Sequence, residues 1–256
     1  MIDKTVSSIK EAVADIRDDS VISIGGFGYA GTPFSTYMAL ADRSAPPKGL
    51  TLVGIATRQL DYLVNVGAVK KVIVPYPGYP ANLRTALGSK APLVRAYNRG
   101  DLMVEIIPLG NLVERLRAGG SGIPAFYTPI GVGTELGEGK ETRDFDGKEC
   151  ILERALKTDY TIIKAHKADR HGNLVYRGTT RNLSPLYAMA ADFTIVEVDE
   201  IVEVGALDPE VVVTPGIFVD RVVQAPKVDP FQYFKDFFYE EMKDYLDYAY
   251  ARKRGD

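Results

Sequence analysis

The sequence has few residues suited to redox or metal chemistry. Its 256 residues include one cysteine and two histidines. A single thiol, Cys150, excludes an internal disulfide and agrees with a reducing compartment. No histidine stands near it in sequence, so we interpret Cys150 as a half-buried structural thiol rather than a nucleophile. His166 and His171 have no clustered third ligand, and the sequence therefore predicts no metal site.

The sequence also lacks a basic stripe and any long apolar run. The net charge is −3, which argues against a nucleic-acid partner. No stretch is long enough to span a bilayer, and residues 1–5 lack the apolar core of a signal peptide. We therefore expect no membrane association and a cytoplasmic location. With 46% hydrophobic residues, the chain can still bury a full core.

Strand-like and helix-like segments alternate along most of the chain. Apolar β-branched runs predict strands at 21–24, 50–53, 72–74, 104–107, 160–164, 174–176, 193–198 and 217–219. Helical spacing between them predicts helices at 33–43, 60–66 and 185–191, and a further helix that ends at Gly119 and Gly120. This rhythm is typical of an α/β fold with an open, mainly parallel sheet flanked by helices. Residues 121–147 have little periodicity and are expected to form loops.

The two ends of the chain carry amphipathic patterns. Val6, Ile9, Val13 and Ile16 predict a first helix. Residues 227–256 are rich in aromatic side chains at helical spacing, which predicts a C-terminal amphipathic helix as an extension of a main domain over 1–226. Its aromatic face either packs on its own domain or docks on a partner subunit.

Four glycines follow the first predicted strand. Gly25, Gly26, Gly28 and Gly31 form a loop with almost no side chains, and Pro33 stands at the expected start of a helix. Such a loop lets backbone N–H groups approach a ligand, so it suggests a site for an anionic or acyl group at the helix start.

The same glycines match the string of a dinucleotide-binding loop. That fingerprint requires an acidic residue at the end of the second strand, to bind a ribose hydroxyl. Here no carboxylate follows residues 50–53 until Asp61. We therefore reject a nicotinamide site.

Several longer blocks resemble a known family. They are residues 25–33, 114–129 with 131–134, 163–177, Arg181 with Asn182, and 212–221. Together they resemble the A (alpha) subunit of family I CoA-transferases, the class that contains 3-oxoacid and 3-oxoadipate CoA-transferases. The resemblance covers most of residues 1–225.

The resemblance implies a ping-pong reaction that moves CoA between an acyl-CoA and a carboxylic acid. The thioester is attacked by a glutamate of the B (beta) subunit, so this chain should contain no catalytic residue and should work as a heterodimer or heterotetramer. Coenzyme A is then a substrate, and no cofactor is bound permanently. Alternatives on the same scaffold are a subunit of an acyl-CoA hydrolase and a non-catalytic acyl-CoA-binding subunit.

We expect the glycine loops to line the substrate site. The expected substrate-binding residues are Gly25, Gly26, Phe27, Gly28, Gly31, Leu109, Gly119, Gly120, Gly122 and Phe126. The glycine segments 25–31 and 119–122 either supply N–H donors to a developing oxyanion or merely permit close packing. Glu135 and Glu138 are the internal candidates for a nucleophile. Lys164, Lys167, Asp169 and Arg170 form either a solvated turn or a contact with a subunit or a CoA phosphate.

The sequence departs from the family pattern at two places. Gly54-Ile55-Ala56 stands where 3-oxoacid members have an Asn-Asn pair, and Pro108-Leu109-Gly110 replaces Pro-Gln-Gly. The Gln resembles a residue that steadies the reacting carboxyl or carbonyl group. Leu109 instead predicts an apolar wall. Either the substrate is less polar near this wall, or the partner subunit supplies the missing donor, or the reaction differs from that of the family.

Overall fold

The computed structural model describes residues 2–28, 30–55, 60–76 and 91–226. The predicted C-terminal helix over 227–256, and with it the proposed division at residue 226, lies outside the described residues, as does Ala56.

Most of the described chain is built around one large sheet. The strands in chain order are β1 (Val21–Ile24), β2 (Leu50–Val53), β3 (Val69–Val74), β4 (Met103–Ile106), β5 (Ala125–Thr128), β6 (Thr142–Phe145), β7 (Lys148–Arg154), β8 (Thr158–Asp169), β9 (Leu174–Val175), β10 (Ala191–Val202) and β11 (Arg221–Gln224). Seven of them are parallel in the order β11-β10-β8-β1-β2-β3-β4, and β9 pairs antiparallel with β8. The predicted mainly parallel sheet is confirmed.

Helices cover both faces of this sheet. They are α1 (Ile9–Ala12), α2 (Phe34–Ala41), α3 (Asp61–Asn65), α4 (Pro92–Arg99), α5 (Leu109–Gly120) and α6 (Ser184–Ala190). One core joins α1 to α4 with the sheet, and a second joins α5 and α6 with the opposite face. β2 is buried along its whole length, because helices cover the sheet on both sides, and its residues are accordingly apolar except for Thr51.

The β1 strand shows how the sequence builds this arrangement. Ile22 and Ile24 are fully buried in the first core. Ser23 points to the other face, where its hydroxyl donates to Thr161 Oγ1 at 2.8 Å. That bond satisfies a buried hydroxyl that would otherwise destabilise the core.

Four of the secondary-structure predictions need correction. The first helix is only four residues long, although Val13 and Ile16 are buried as expected. The strand expected at 217–219 is a short 3-10 helix, Gly216–Phe218, followed by β11. Gly119 and Gly120 are the last two residues of α5 rather than its cap, which is Ser121.

The fourth correction concerns residues 121–147. They contain β5 and β6, which pair antiparallel with β7 in a separate three-stranded sheet of order β5-β7-β6. All four residues of β6 are exposed. A strand without a buried face shows no hydrophobic alternation, so local patterns do not reveal it.

Among the described residues, no helix combines the length and the apolar character needed to cross a membrane.

Candidate functional site

The order of the strands reverses between β1 and β8. From β1 the chain moves outward through β2 and β3 to β4, whereas β8, β10 and β11 lie on the other side. In open α/β sheets, ligands bind outside the carboxyl ends of the strands at such a switch point. The glycine loop follows β1 there, so the fold places it where a substrate is expected.

The glycine loop is closed by two backbone hydrogen bonds. Phe27 N–H donates to Ala30 O at 3.0 Å, and Ala30 N–H donates to Phe27 O at 3.1 Å. Gly26, Gly28 and Gly31 have φ values of 105°, 63° and 71°. Residues other than glycine rarely adopt such positive values. The turn leaves the Phe27 side chain 51% exposed.

A buried carboxylate caps the helix that follows this loop. Glu197 Oε2 accepts hydrogen bonds from the N–H and the hydroxyl of Thr36, both at 3.0 Å, in the first turn of α2. Glu197 Oε1 accepts a bond from Lys164 Nζ at 2.9 Å. An anion at this helix start is therefore a side chain of the protein itself. The expectation that the loop binds an anionic or acyl group stays a prediction.

Lys164 and its neighbours lie in a strand rather than in a turn. β8 continues to Asp169, well past its last contact with β1 at Ile162. The extension pairs with β10 through opposite charges, which include Lys164 with Asp199 at 3.3 Å and Lys167 with Glu200 at 2.7 Å. Arg170, in the turn after β8, pairs with Glu203 at 3.1 Å just beyond the end of β10. The expected solvated turn is wrong for Lys164, Lys167 and Asp169, which lie in β8, where cross-strand pairing accommodates the charges. Arg170 does lie in a turn, and a contact of these residues with a subunit or a CoA phosphate stays a prediction.

The glycines at the end of α5 lie far from the loop after β1. A Cβ on Gly119 would stand 2.3 Å from Leu156 O, and one on Gly120 would stand 2.7 Å from Met189 Cβ. Leu156 precedes β8 and Met189 precedes β10, so both contacts are at the amino edge of the sheet. Close packing accounts for both glycines, and their role as substrate contacts stays a prediction, as does that of Gly122 (φ 72°) beyond the helix.

Leu109 begins α5 at the carboxyl edge and is half-buried. Three strand spacings, about 14 Å, separate the end of β4 from the end of β1. Leu109 and the glycine loop therefore share one edge of the sheet without being neighbours in it.

The segment that follows β5 of the three-stranded sheet lies beside the start of α5, at the carboxyl edge of the large sheet. Asn111, in the first turns of α5, donates to Ile130 O and to Glu153 Oε1, both at 3.1 Å. Glu153 is buried and pairs with Lys140 at 2.7 Å. These bonds fix the segment after β5 beside the start of α5. Phe126 lies within β5, opposite Glu153 and half-buried.

Glu135 and Glu138 border an open groove in this segment. The groove measures about 630 Å³ and is also lined by Thr134, Thr142 and Glu149. Both glutamates are exposed. Neither has the buried, partnered environment that activates a carboxylate as a nucleophile.

Two other side chains with reactive groups, Cys150 and His166, are held by the fold. Cys150 is buried in β7, and His166 Nδ1 lies 3.1 Å from Asp199. In the described part of the chain, no three histidine, cysteine or acidic side chains are grouped so as to hold a metal ion.

Two residues at the site were missed from the sequence. Glu197 is a charged residue within an apolar strand, which is a signal that it has a partner. Asn182 lies in one of the family blocks, but its local sequence does not indicate its contact. Its side-chain amide donates to Ala30 O in the glycine loop at 3.1 Å.

Comparisons with known proteins agree with this architecture. The family model described as Coenzyme A transferase matches residues 6–225. The chain is 46% identical over 227 residues to the A subunit of 3-oxoadipate CoA-transferase from Acinetobacter baylyi, covering 87% of this chain and 95% of the relative. It is 44% identical over 225 residues to the A subunit of succinyl-CoA:3-ketoacid coenzyme A transferase from Xanthomonas campestris, covering 86% and 88%. The structure of glutaconate coenzyme A-transferase from Acidaminococcus fermentans shares the fold, with a TM-score of 0.74 at 22% identity over 87% of this chain and 76% of that one.

Proposed function

The chain belongs to the coenzyme A transferase family, and from that premise we propose that it forms one side of an active site whose nucleophilic glutamate lies on a partner subunit. Within the family it is an A subunit, since both relatives compared above are A subunits of nearly the same length. A name of this kind implies a second, B subunit. The proposed assembly is a heterodimer or a heterotetramer.

One observation carries the proposal. The glycine loop lies at the switch point of the sheet, yet the buried carboxylate that caps the helix after it, Glu197, is bonded to Thr36 and Lys164. A carboxylate with those partners is held in place as an anion and is not presented to a thioester. The loop therefore supplies a binding surface, and the nucleophile is expected from outside the chain.

The proposed reaction moves CoA in balanced steps. The partner's glutamate attacks the thioester carbonyl carbon and releases CoA thiolate, which leaves an acyl-glutamyl anhydride. The thiolate attacks the glutamyl carbonyl and releases the first carboxylate, so that a glutamyl-CoA thioester remains. The second acid reverses these two steps and departs as its own CoA thioester.

The chain's contribution is to bind and orient the acyl group. Each attack places negative charge on a carbonyl oxygen, and fixed N–H donors stabilise that charge. The Gly26 N–H has no partner in the described part of the chain, while its φ of 105° turns the peptide away from the regular strand. We assign this N–H as the oxyanion donor, with Gly25, Phe27, Gly28 and Gly31 shaping the surface around it.

The substrate class follows from Leu109. A carboxyl-steadying amide is absent at this position, and a half-buried leucine begins α5 instead. An apolar side chain favours alkyl carbon over an unpaired carbonyl or carboxylate. We propose, as the acceptor, a carboxylic acid with more alkyl carbon than acetoacetate at the position that faces Leu109.

The test is exchange of a labelled acid into acyl-CoA by the complex with the B subunit. The purified complex is incubated with an acyl-CoA and the matching labelled acid, without a second acid. A ping-pong transferase incorporates label into the acyl-CoA pool. Hydrolysis to free CoA without incorporation would identify a hydrolase, and binding without either reaction would identify a non-catalytic subunit; both results contradict the proposal.

A further inference from the structure

Asn182 has an unusual backbone conformation. Its φ is +30° and its ψ is −120°, a combination outside the regions that non-glycine residues favour. Such a conformation persists only where the surrounding structure over-determines it, and it is found preferentially at functional sites.

The Asn182 side chain makes three hydrogen bonds. Its amide nitrogen donates to Ala30 O and to Thr180 O, both at 3.1 Å. Its amide oxygen accepts a bond from Leu183 N–H at 2.7 Å. Two donated bonds and one accepted bond define which way the amide points. They also connect the glycine loop after β1 to the segment that leads into α6.

Gly31 makes this connection possible. A Cβ at Gly31 would stand 2.3 Å from Thr180 O and 2.8 Å from Asn182 Nδ2. The segment around Asn182 can approach the loop only because Gly31 has no side chain. In contrast, a Cβ at Gly28 would have no atom within 4 Å, so the close contact is confined to one end of the loop.

We propose that Asn182 is a positioning residue that holds the glycine loop in the geometry needed to orient the acyl group, an inference that rests on the proposed function. The strained backbone directs the amide toward Ala30 O, and the bond to Ala30 sets the end of the turn that Phe27 begins. The loop after β1 is thereby held by the segment that precedes α6 and β10, on the other side of the switch point.

Two substitutions separate the hydrogen bonds from the strain. Asn182→Asp keeps the size and the acceptor for Leu183 N–H, but it places a carboxylate oxygen against two carbonyl oxygens. Asn182→Gly removes the side chain and relieves the backbone strain. Asp19→Gly is the matched control, because Asp19 also has a positive φ, 59°, and it precedes β1 at the amino edge.

Steady-state kinetics and hydrogen exchange, both in the complex with the B subunit, test whether Asn182 positions the loop. Both Asn182 variants should lower kcat by about 10- to 100-fold with KM changed less than about 3-fold, since a misplaced loop weakens the transition state more than binding. Hydrogen exchange in the peptide over residues 25–33 should accelerate in both. Asp19→Gly should change neither quantity.

The exchange measurement does not depend on turnover. If the wild-type complex transfers no CoA, the proposed function fails, whereas faster exchange in the variants still shows that Asn182 holds the loop. Unchanged exchange in both variants would overturn the inference. So would faster exchange together with wild-type kcat in an active complex.

Discussion

The Glu197 carboxylate accepts two hydrogen bonds from Thr36, across 161 residues of sequence, at 3.0 Å each. Through this contact, β10 determines where α2 begins, and thus where the glycine loop ends. Lys164 on β8 neutralises the same carboxylate. The switch point of the sheet is therefore built around an ion pair that belongs to the protein itself.

Lys164→Met should destabilise the fold strongly. The Glu197 side chain is only 2% exposed, and removing its cation leaves a buried charge without compensation, which costs on the order of 3 kcal/mol. Urea denaturation gives the free energy of unfolding. In the double variant Lys164→Met/Glu197→Gln, the loss should be smaller than the sum of the single losses.

Lys157→Met provides the control for that experiment. Lys157 pairs with Asp192 at 3.2 Å, but both side chains are more than half exposed, so its loss should cost less than about 1 kcal/mol. Equal, small losses for Lys157→Met and Lys164→Met would mean that the Glu197 pair does not support the fold.

Gly120→Ala should destabilise the fold, whereas Gly110→Ala should not. Both glycines lie in α5, but a Cβ at Gly120 would meet Met189 at 2.7 Å and one at Gly110 would meet nothing within 4 Å. In an open helical position, alanine stabilises by about 0.5 to 1 kcal/mol relative to glycine. The melting temperature should fall for Gly120→Ala and rise for Gly110→Ala. An unchanged or higher melting temperature for Gly120→Ala would refute the packing explanation of Gly120.

Leu109→Gln should shift selectivity toward short 3-oxoacids. The amide would pair with a buried carbonyl or carboxylate that otherwise loses roughly 1 to 3 kcal/mol. The measurement is kcat/KM of the complex for acids of increasing length. Efficient use of acetoacetate by the wild type, unchanged in the variant, would show that Leu109 does not line the acyl pocket.

Alkaline pH should remove the contribution that Tyr176 makes to the free energy of unfolding. Burial raises the pKa of Tyr176 from 10.0 to about 12, although its bond with Thr214 acts in the opposite direction. Because the folded pKa is the higher one, this stability is fully present below pH 10 and is lost as the pH rises toward 12. Relative to wild type, Tyr176→Phe should become more stable over that range in urea denaturation. A pH-independent difference would contradict this assignment.

The sequence predicted the parts of the fold in which burial is continuous. β2 consists of three apolar residues and Thr51, all of them buried, and such strands are recognisable without tertiary information. The glycine loop was also predicted, because its residues are adjacent in sequence. Its location at the switch point depended on strand order, which local patterns do not encode.

The contacts that hold the loop were not predictable in the same way. Asn182 and Ala30 are 152 residues apart. In the sequence alone Lys164 is indistinguishable from a solvated charge, because its partner Glu197 lies on the distant strand β10. The exposed strand β6 lacks a hydrophobic face altogether. In each case a tertiary partner, rather than local propensity, determines the structure.

The most direct test of the external nucleophile is borohydride trapping of the enzyme-CoA thioester. Borohydride reduces a glutamyl-CoA thioester to an alcohol, which mass spectrometry locates on a peptide. With an acyl-CoA present, this chain alone should remain unmodified, and the complex should carry the modification on a glutamate of the B subunit. A modified glutamate on this chain without its partner, at Glu135 or Glu138 above all, would contradict the claim that the nucleophile comes from outside.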